Sequence, residues 1–283
     1  MVAAISNKST RFIWVVVAGI VFTAATAAAA DIDLGDIGVG GDGSGSATPG
    51  LGLRITTATL LQPDQFGGSS HYSAPFFKPT DGSGGSVDLP YVDGVFLPKG
   101  LTPIDSTGGT FYFPGTGGNR YDAIRNAFAV YDNDGQPPGL APIQLDDQPG
   151  VNRRGLGIHA NQGITYDLNA LRNAGYSFSF VTGVAGLNFD TLLERPSEVW
   201  VLVDGAQLFR QTFFNGGEYC PFLIPVGPDD HFLSFACTDY NGTNSSDHGV
   251  VADAYLAVPE PASVLLVAAV VLLSRPRTGW RPG

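Results

Sequence analysis

Hydrophobic and polar residues alternate along much of the chain between residues 51 and 257, where helical periodicity is nearly absent. Residues 54–60 and 198–203 combine this period of two with β-branched and aromatic side chains, which is the pattern of half-buried strands. One short helix is predicted at residues 169–174, with Gly175 just past its end. Many short strands without strand–helix alternation predict an all-β protein, a β-sandwich of the jelly-roll type.

One hairpin can be aligned from the sequence alone. Residues 198–203 and 206–210 flank Asp204 and Gly205, and Asp-Gly is a favoured two-residue turn because both positions tolerate a positive φ. The predicted facing pairs are Val201 with Leu208 and Trp200 with Phe209.

The first 30 residues have the design of a secretory signal peptide. Two basic residues precede an apolar run at residues 12–22, and small residues continue to Ala30. The run is shorter than the roughly 20 residues that span a membrane comfortably. We therefore expect a signal helix over residues 1–30, cleaved near Ala30, and not a permanent anchor. Residues 31–50, rich in Gly, Ser and Asp, are expected to form a flexible linker.

The last 26 residues predict a sorting tail over residues 258–283. Its parts are a Pro-Glu-Pro motif, an apolar stretch and a basic end: Pro259, Glu260, Pro261, residues 263–273, Arg275 and Arg277. Basic residues after an apolar stretch favour the cytoplasmic side, which predicts a C-terminal hydrophobic helix with the body of the protein outside. The stretch is shorter than a usual span, so a transient membrane anchor is expected.

This ending resembles the PEP-CTERM sorting signal of bacterial exopolysaccharide-associated proteins. The resemblance implies an exosortase-type processing enzyme as a partner. It also implies a Gram-negative envelope, and release to the cell surface or retention there.

The chain has two cysteines, and both fall in a second predicted hairpin. Residues 220–226 and 231–237 are joined by a short turn, and period-2 logic places their apolar side chains on one face. Cys220 would then oppose Cys237. Because an exported protein meets an oxidising compartment, we expect a Cys220–Cys237 disulfide; two buried free thiols are the alternative. The other facing pairs are Phe222 with Phe235 and Ile224 with Leu233.

Charge and composition narrow the classes of partner. Residues 31–257 hold 10 Lys and Arg against 25 Asp and Glu, and such an acidic body argues against nucleic acid as a partner. The 38 Gly and 20 Pro, with only 14% charged residues, favour short strands and tight turns. Residues 51–257 are numerous enough to bury one core.

Three segments carry a family resemblance: 155–168, 199–205 and 238–256. The first contains Gly-Ile-His-Ala and ends in Tyr-Asp-Leu, and the last contains Asp-His followed by Ala-Asp. Together they resemble the NPCBM/NEW2 module, a carbohydrate-binding module found beside glycoside hydrolases. The resemblance covers about residues 91–257 and implies a galactose-binding-like β-sandwich, which we expect to occupy residues 51–257. Family members often place Trp after the late Asp or His, where this chain has Gly249, Val250 and Val251.

The resemblance also implies a carbohydrate site in loops at one end of the sandwich. The candidate binding residues are His159, Asn161, Asp239, Asp247 and His248. Sugar recognition needs polar groups for hydroxyls and an aromatic face for the ring, and loops on a rigid scaffold are a natural place for both. The alternative is a buried structural pair of His159 with Asp247 or Asp253.

Other motifs are weaker. Residues 132–135, Asp-Asn-Asp-Gly, resemble the start of a calcium loop but lack the downstream Glu, so a plain turn and a structural calcium site both stay open. Residues 245–248 place Ser, Asp and His side by side, but a triad is assembled from separated elements, and no Gly-x-Ser-x-Gly elbow is present. No Cys and His spacing fits zinc. The sequence therefore assigns no catalytic residue and no metal ligand.

Three functions follow as hypotheses. The first is a non-enzymatic surface or matrix protein that binds an extracellular polysaccharide. The second is a structural or adhesive protein that uses the same sandwich for protein contacts. The third is a hydrolase or the accessory module of a glycoside hydrolase.

Overall fold

The computed structural model describes residues 31–258, apart from residues 56, 72–75, 80–88, 118, 132–138, 190–195, 241 and 243–246. The predicted signal peptide, the calcium-like residues 132–135 and the tail from Pro259 onward lie outside the described residues. Among those that are described, no helix has the length and apolar character to cross a membrane.

The described residues form short strands and two short helices. The strands are β1 (Ile32–Asp33), β2 (Gly52–Leu53), β3 (Leu60–Leu61), β4 (Ser69–His71), β5 (Phe76–Phe77), β6 (Val92–Phe96), β7 (Gly100–Pro103), β8 (Thr110–Phe113), β9 (Asn119–Tyr121), β10 (Ile124–Asn126), β11 (Phe128–Tyr131), β12 (Gly139–Pro142), β13 (Gly155–His159), β14 (Gln162–Asp167), β15 (Phe180–Leu187), β16 (Ser197–Val203), β17 (Ala206–Phe213), β18 (Tyr219–Pro225), β19 (Phe232–Asp239) and β20 (His248–Ala257). The helices are α1 (Leu34–Ile37) and α2 (Leu168–Asn173).

Two antiparallel sheets make up the sandwich. One has eight strands in the order β18-β15-β20-β13-β10-β2-β3, with β1 added beside β20. The other has six, in the order β17-β16-β19-β14-β6-β5. From β13 to β20 the chain crosses repeatedly between the two sheets, and the all-β sandwich predicted from the sequence is confirmed.

The main core lies between the sheets. Alternate residues of β16, namely Val199, Val201 and Val203, share one buried cluster with Val181 of β15 and Phe222 of β18. Each fully buried apolar side chain contributes roughly 1.5–3 kcal/mol. The period-2 pattern thus directs one face of every central strand inward.

The six-stranded sheet is also covered on its outer face. Trp200 and Leu202, the alternate residues of β16, are buried with Phe113 of the β7–β8 hairpin. The Trp200 and Phe113 rings meet edge to face with centroids 5.6 Å apart. Strand β16 is therefore buried on both faces, which explains its nearly continuous apolar sequence.

The Gly-rich segment 31–50 does not form the flexible linker that we expected. Ile32 and Asp33 pair with β20, and Leu34 and Ile37 are buried in the main core. The buried Tyr166 hydroxyl donates to the Leu34 carbonyl at 2.7 Å. Apolar residues spaced through the segment anchor it, and its glycines form the turns between them.

A buried ion pair fastens residues 50–67 to the sandwich. The Arg125 guanidinium lies 2.6 Å from the Asp122 carboxylate, and both side chains are essentially inaccessible. Arg125 also donates to the carbonyls of Gly50 and Gln65 at 2.9 and 2.6 Å, and Asp122 accepts from the Gly67 amide. The described residues between 51 and 67 therefore belong to the same folded body, as the expected domain bounds of 51–257 require.

The first predicted hairpin is confirmed, but its register shifts partway. Asp204 and Gly205 adopt positive φ values of 47° and 75° in the turn. Beyond the turn, a bulge moves the pairing by one residue, so Val201 faces Phe209 and Trp200 faces Arg210. The predicted pairs of Val201 with Leu208 and Trp200 with Phe209 are therefore wrong. The bulge leaves Leu208 47% exposed.

The second predicted hairpin is wrong. Strand β18 pairs with β15 in the eight-stranded sheet, whereas β19 pairs with β14 and β16 in the six-stranded sheet. Cys220 and Cys237 are free thiols, so the predicted disulfide is absent. Phe222 and Phe235 do meet, with ring centroids 6.4 Å apart, but they pack across the core. An alternating pattern gives the same inward face whether two strands share a sheet or oppose each other.

The sandwich has two distinct ends. At one end, β13 ends at His159 and β20 begins at His248; we call it the His159 end. At the opposite end, β20 finishes at Ala257, and Ile32 pairs with Leu256. Both termini of the described chain therefore leave the sandwich at the end away from His159.

Candidate functional site

The five predicted sugar-binding residues meet at the His159 end. His159 and His248 are directly opposed in the β13–β20 pair, with ring centroids 5.6 Å apart. The Ala160 amide donates to the Asp247 carbonyl at 3.0 Å. These contacts bring the β13–β14 turn and the segment before β20 together at the His159 end.

Asn161 and Asp239 form the polar centre of this cluster. Asn161 has a positive φ of 62° in the turn between β13 and β14, a conformation that Asn tolerates better than most residues. Its side-chain amide donates to Asp239 Oδ2 at 2.9 Å, and its Oδ1 accepts the Asp239 amide at 3.3 Å. The Gly117 amide donates to both Asp239 oxygens, at 3.0 and 2.9 Å. Asp239 therefore holds three loops together.

The five side chains are internal. Their exposures run from 0 to 2%: His159, Asn161, Asp239, Asp247 and His248. In this arrangement they position the loops and do not present a surface to a ligand. The neighbouring residues 241 and 243–246 lie outside the described residues. Asp253, one of the two carboxylates considered as a partner of His159, forms an ion pair with Arg153 instead, at 2.6 Å.

Burial sets the electrostatics of the cluster. The pKa of His159 is lowered to about 3, first by burial and then by the neighbouring His248, so the imidazole is neutral at neutral pH. The Tyr121 ring packs 5.5 Å from it. Burial, followed by the nearby Asp247, raises the pKa of the Cys237 thiol well above its ordinary value. A neutral imidazole and a protonated thiol suit packing better than nucleophilic chemistry.

Exposed aromatic side chains also lie at the His159 end, and sequence reasoning missed them. Four of them follow or begin strands at the His159 end: Phe189, Phe214, Tyr219 and Tyr240, exposed by 65, 49, 45 and 51%. We call them the aromatic rim. The Phe214 and Tyr240 rings meet edge to face, 5.8 Å apart. For Phe214 and Tyr240 the signal in the sequence is an aromatic residue immediately after a strand, as Tyr240 follows Asp239.

Two shallow clefts lie on the surface of the described residues. A cleft of about 330 Å³, the side cleft, lies beside the rim and is lined by Asp146, Gln211, Thr212, Phe213, Glu218 and Tyr219. A second cleft of about 480 Å³ lies at the opposite end and includes Asp105, Asp204 and His231. Within the described residues, no group of three or more His, Cys, Asp or Glu side chains is arranged to hold a metal ion.

Comparison with known proteins identifies a family match in one part of the chain. Residues 121–257 match the family model of the NPCBM/NEW2 domain, so the resemblance seen in the sequence motifs is confirmed over this range. These residues form a carbohydrate-binding-module-like domain. No curated protein sequence matches the chain.

Similar solved structures are CBM51 modules of Clostridium perfringens. The CBM51 of GH95 in complex with methyl-galactose is 13% identical, with 68% of this chain and 94% of that chain covered and a TM-score of 0.35. CBM51-2 with INT domains of ZmpB, in complex with GlcNAc, is 14% identical over 75% of this chain and 44% of that chain, at a TM-score of 0.35. The M60 catalytic domain of ZmpB with CBM51-1 and CBM51-2 is 20% identical over 70% and 14%, again at 0.35. This chain thus spans less than half the length of the two ZmpB structures.

Proposed function

We propose that this protein is a non-enzymatic carbohydrate-binding protein whose aromatic rim holds the sugar. The observation that carries the proposal is the match of residues 121–257 to the NPCBM/NEW2 domain. The rim lies at the end of that domain where the candidate motifs converge. The sugar is held without covalent chemistry, and the buried polar cluster fixes the loops that present the rim.

The rim has the properties that a sugar surface needs. Phe214 and Tyr240 are about half exposed, so their faces can cover the C–H side of a pyranose ring. Their backbones are fixed: the Phe214 amide donates to Glu218 at 2.6 Å, and the Tyr240 amide donates to the Pro196 carbonyl at 3.2 Å. A prearranged aromatic surface avoids an ordering cost on binding.

The biological setting remains part of the proposal. The signal peptide pattern at residues 1–30 supports export, and the Pro259-Glu260-Pro261 motif with its basic end supports surface sorting by an exosortase. In this setting, the proposed ligand is an extracellular polysaccharide at a Gram-negative envelope. The tail would contact the membrane while it awaits processing.

A second candidate is a structural or adhesive role through protein contacts. Strand β18 presents a row of exposed apolar and proline side chains on its outer face: Tyr219, Pro221, Leu223 and Pro225. Leu223 is 66% exposed, and exposed apolar surface of this kind favours association. Self-association that added sugars do not change would favour this role.

The test uses the full-length chain in detergent on a glycan array, followed by calorimetry on any glycan retained. Tyr240→Ala and Phe214→Ala should each weaken binding by up to about tenfold, since one aromatic contact contributes about 0.5–1.5 kcal/mol. Tyr112→Ala is the matched control, because Tyr112 is 64% exposed on β8, outside the rim. Retention on no glycan, or equal losses in the control, would contradict the proposal.

A further inference from the structure

The side cleft lies where the edges of the two sheets meet. Strand β17 is the last strand of the six-stranded sheet and β18 the last of the eight-stranded sheet. Residues 214–218 connect them and bound the cleft at the His159 end. Its volume of about 330 Å³ is at the lower end of the range for small-molecule sites, about 300–1,000 Å³.

Acceptor groups dominate the lining. Asp146 is exposed and its carboxylate accepts no hydrogen bond from the described residues, while its backbone amide is held by the Gly217 carbonyl at 3.0 Å. Gly217 has a φ of 87°, and a Cβ there would lie 2.6 Å from the Asp146 carboxylate. The glycine therefore lets this carboxylate pack against the connection.

The remaining lining residues supply an aromatic wall and further polar atoms. Tyr219 is 45% exposed, whereas Phe213 is buried at 2%. The Gln211 amide nitrogen donates to the Thr212 carbonyl at 2.9 Å, which leaves its oxygen as an acceptor. The Glu218 carboxylate accepts from the Phe214 amide and from Asn215, and carboxylates have capacity for more than two such bonds.

The side cleft and the aromatic rim are continuous. Residues 214–218 carry Phe214 at one end and Glu218 at the other, and Tyr219 belongs to both surfaces. A ligand lying on Phe214 and Tyr240 would therefore meet the cleft as its next contact. A chain of linked sugar units has this shape, whereas a single sugar would occupy one surface only.

The lining also selects the chemistry of the ligand. It holds two carboxylates, and none of its residues is Lys or Arg. Carboxylates accept hydrogen bonds from hydroxyl groups and repel other anions. A neutral, hydroxyl-rich hexose fits this surface, and a uronic acid or a sulfated sugar does not.

We propose that the side cleft is a second sugar subsite, so that the domain binds neutral oligosaccharide chains across several units. The inference rests on the proposed function, in which the rim holds the first unit. Asp146 and Gln211 receive hydroxyl hydrogen bonds from the second unit, and Tyr219 covers its ring face.

The test measures affinity against chain length. The full-length protein is titrated with galactose and N-acetylglucosamine and with their neutral β1,4-linked oligomers of two, four and six units. Oligogalacturonate of four units is the anionic comparison, and its fully methyl-esterified form is the neutral counterpart with the same linkage. For the series that binds, affinity should rise about tenfold or more from one unit to four, since one or two hydrogen bonds to a charged group are gained. The anionic tetramer should bind more weakly than its neutral counterpart.

Variants separate the two surfaces. Asp146→Ala and Gln211→Ala should remove most of the gain with length while leaving affinity for the single sugar unchanged. Asp229→Ala, an exposed carboxylate in a turn at the opposite end, is the matched control. Thermal unfolding of each variant checks that the fold is intact.

The outcomes separate a failure of this inference from a failure of the proposed function on which it rests. Affinity that is independent of chain length, or a gain that survives both cleft variants, overturns the second subsite while the rim proposal stands. Binding of no sugar in either series overturns both. Tighter binding of oligogalacturonate would also overturn the neutral-ligand assignment.

Discussion

Acidification should destabilise this protein through His159. Its pKa is about 3 in the folded state, because burial and then His248 disfavour the imidazolium, against about 6.5 in an unfolded chain. The unfolded state therefore binds a proton below pH 6.5, whereas the folded state binds none until near pH 3. Stability is full above pH 6.5 and falls as the pH decreases towards 3.

The size of the effect follows from the pKa difference. One pKa unit corresponds to about 1.4 kcal/mol, so the folded state should lose about 2 kcal/mol at pH 5 and about 3 kcal/mol at pH 4 relative to pH 8. Urea unfolding followed by tryptophan fluorescence, to which the buried Trp200 contributes, measures this loss. His159→Phe replaces the imidazole with an apolar ring and should remove that part of the pH dependence.

Comparison of wild type with His159→Phe isolates the contribution of His159 to the pH dependence of stability. Burial raises the pKa values of Asp33 and Asp93, but these groups contribute equally to wild type and variant. His231→Phe, at an exposed histidine of the opposite end, is the control and should behave as wild type. If wild type and His159→Phe lose the same free energy between pH 8 and pH 5, the reasoning is refuted.

Three further predictions concern the scaffold. Arg125→Met leaves the buried Asp122 without its partner and should lower the free energy of unfolding by about 3–5 kcal/mol in urea; a loss under 1 kcal/mol would contradict a buried pair. Labelling with a thiol reagent should modify Cys220 in the native protein and Cys237 only after unfolding, and a denatured, unreduced chain without free thiols would show a disulfide instead. Gly249→Ala places a Cβ in overlap with Cys237 Sγ and should cost about 1–3 kcal/mol. The double variant that adds Cys237→Ala should recover this loss, and no recovery would locate the strain elsewhere.

Local chemistry made part of the fold predictable. The Asp204-Gly205 turn needs only two residues of known backbone preference, and the structure has the hairpin. The shift to Val201 opposite Phe209 was not predictable from the turn, although it accompanies a contact of Phe209 with Phe222, 5.2 Å away in another strand. The periodicity of the sequence indicates which face of a strand is apolar. A bulge changes which residues face each other across two strands, and tertiary packing decides where it occurs.

The sequence predicted where the candidate site lies in the fold, but not which of its side chains are exposed. The motifs at His159 and His248 indicated loops at one end of the sandwich, and the structure brings these two segments together there. Polar residue types suggested exposure, yet these side chains are buried, because Asn161 and Asp239 satisfy each other inside the protein. Phe213 and Phe214 are adjacent in the chain, with exposures of 2 and 49%, so residue type alone could not identify the rim.

The departure of both described termini from the end opposite His159 has a consequence for how the protein is displayed. A tether or a neighbouring domain joined before Ile32 or after Ala257 would stand behind the sandwich and leave Phe214 and Tyr240 unobstructed. A tether attached at either terminus would therefore leave the aromatic rim facing outward, towards the surroundings.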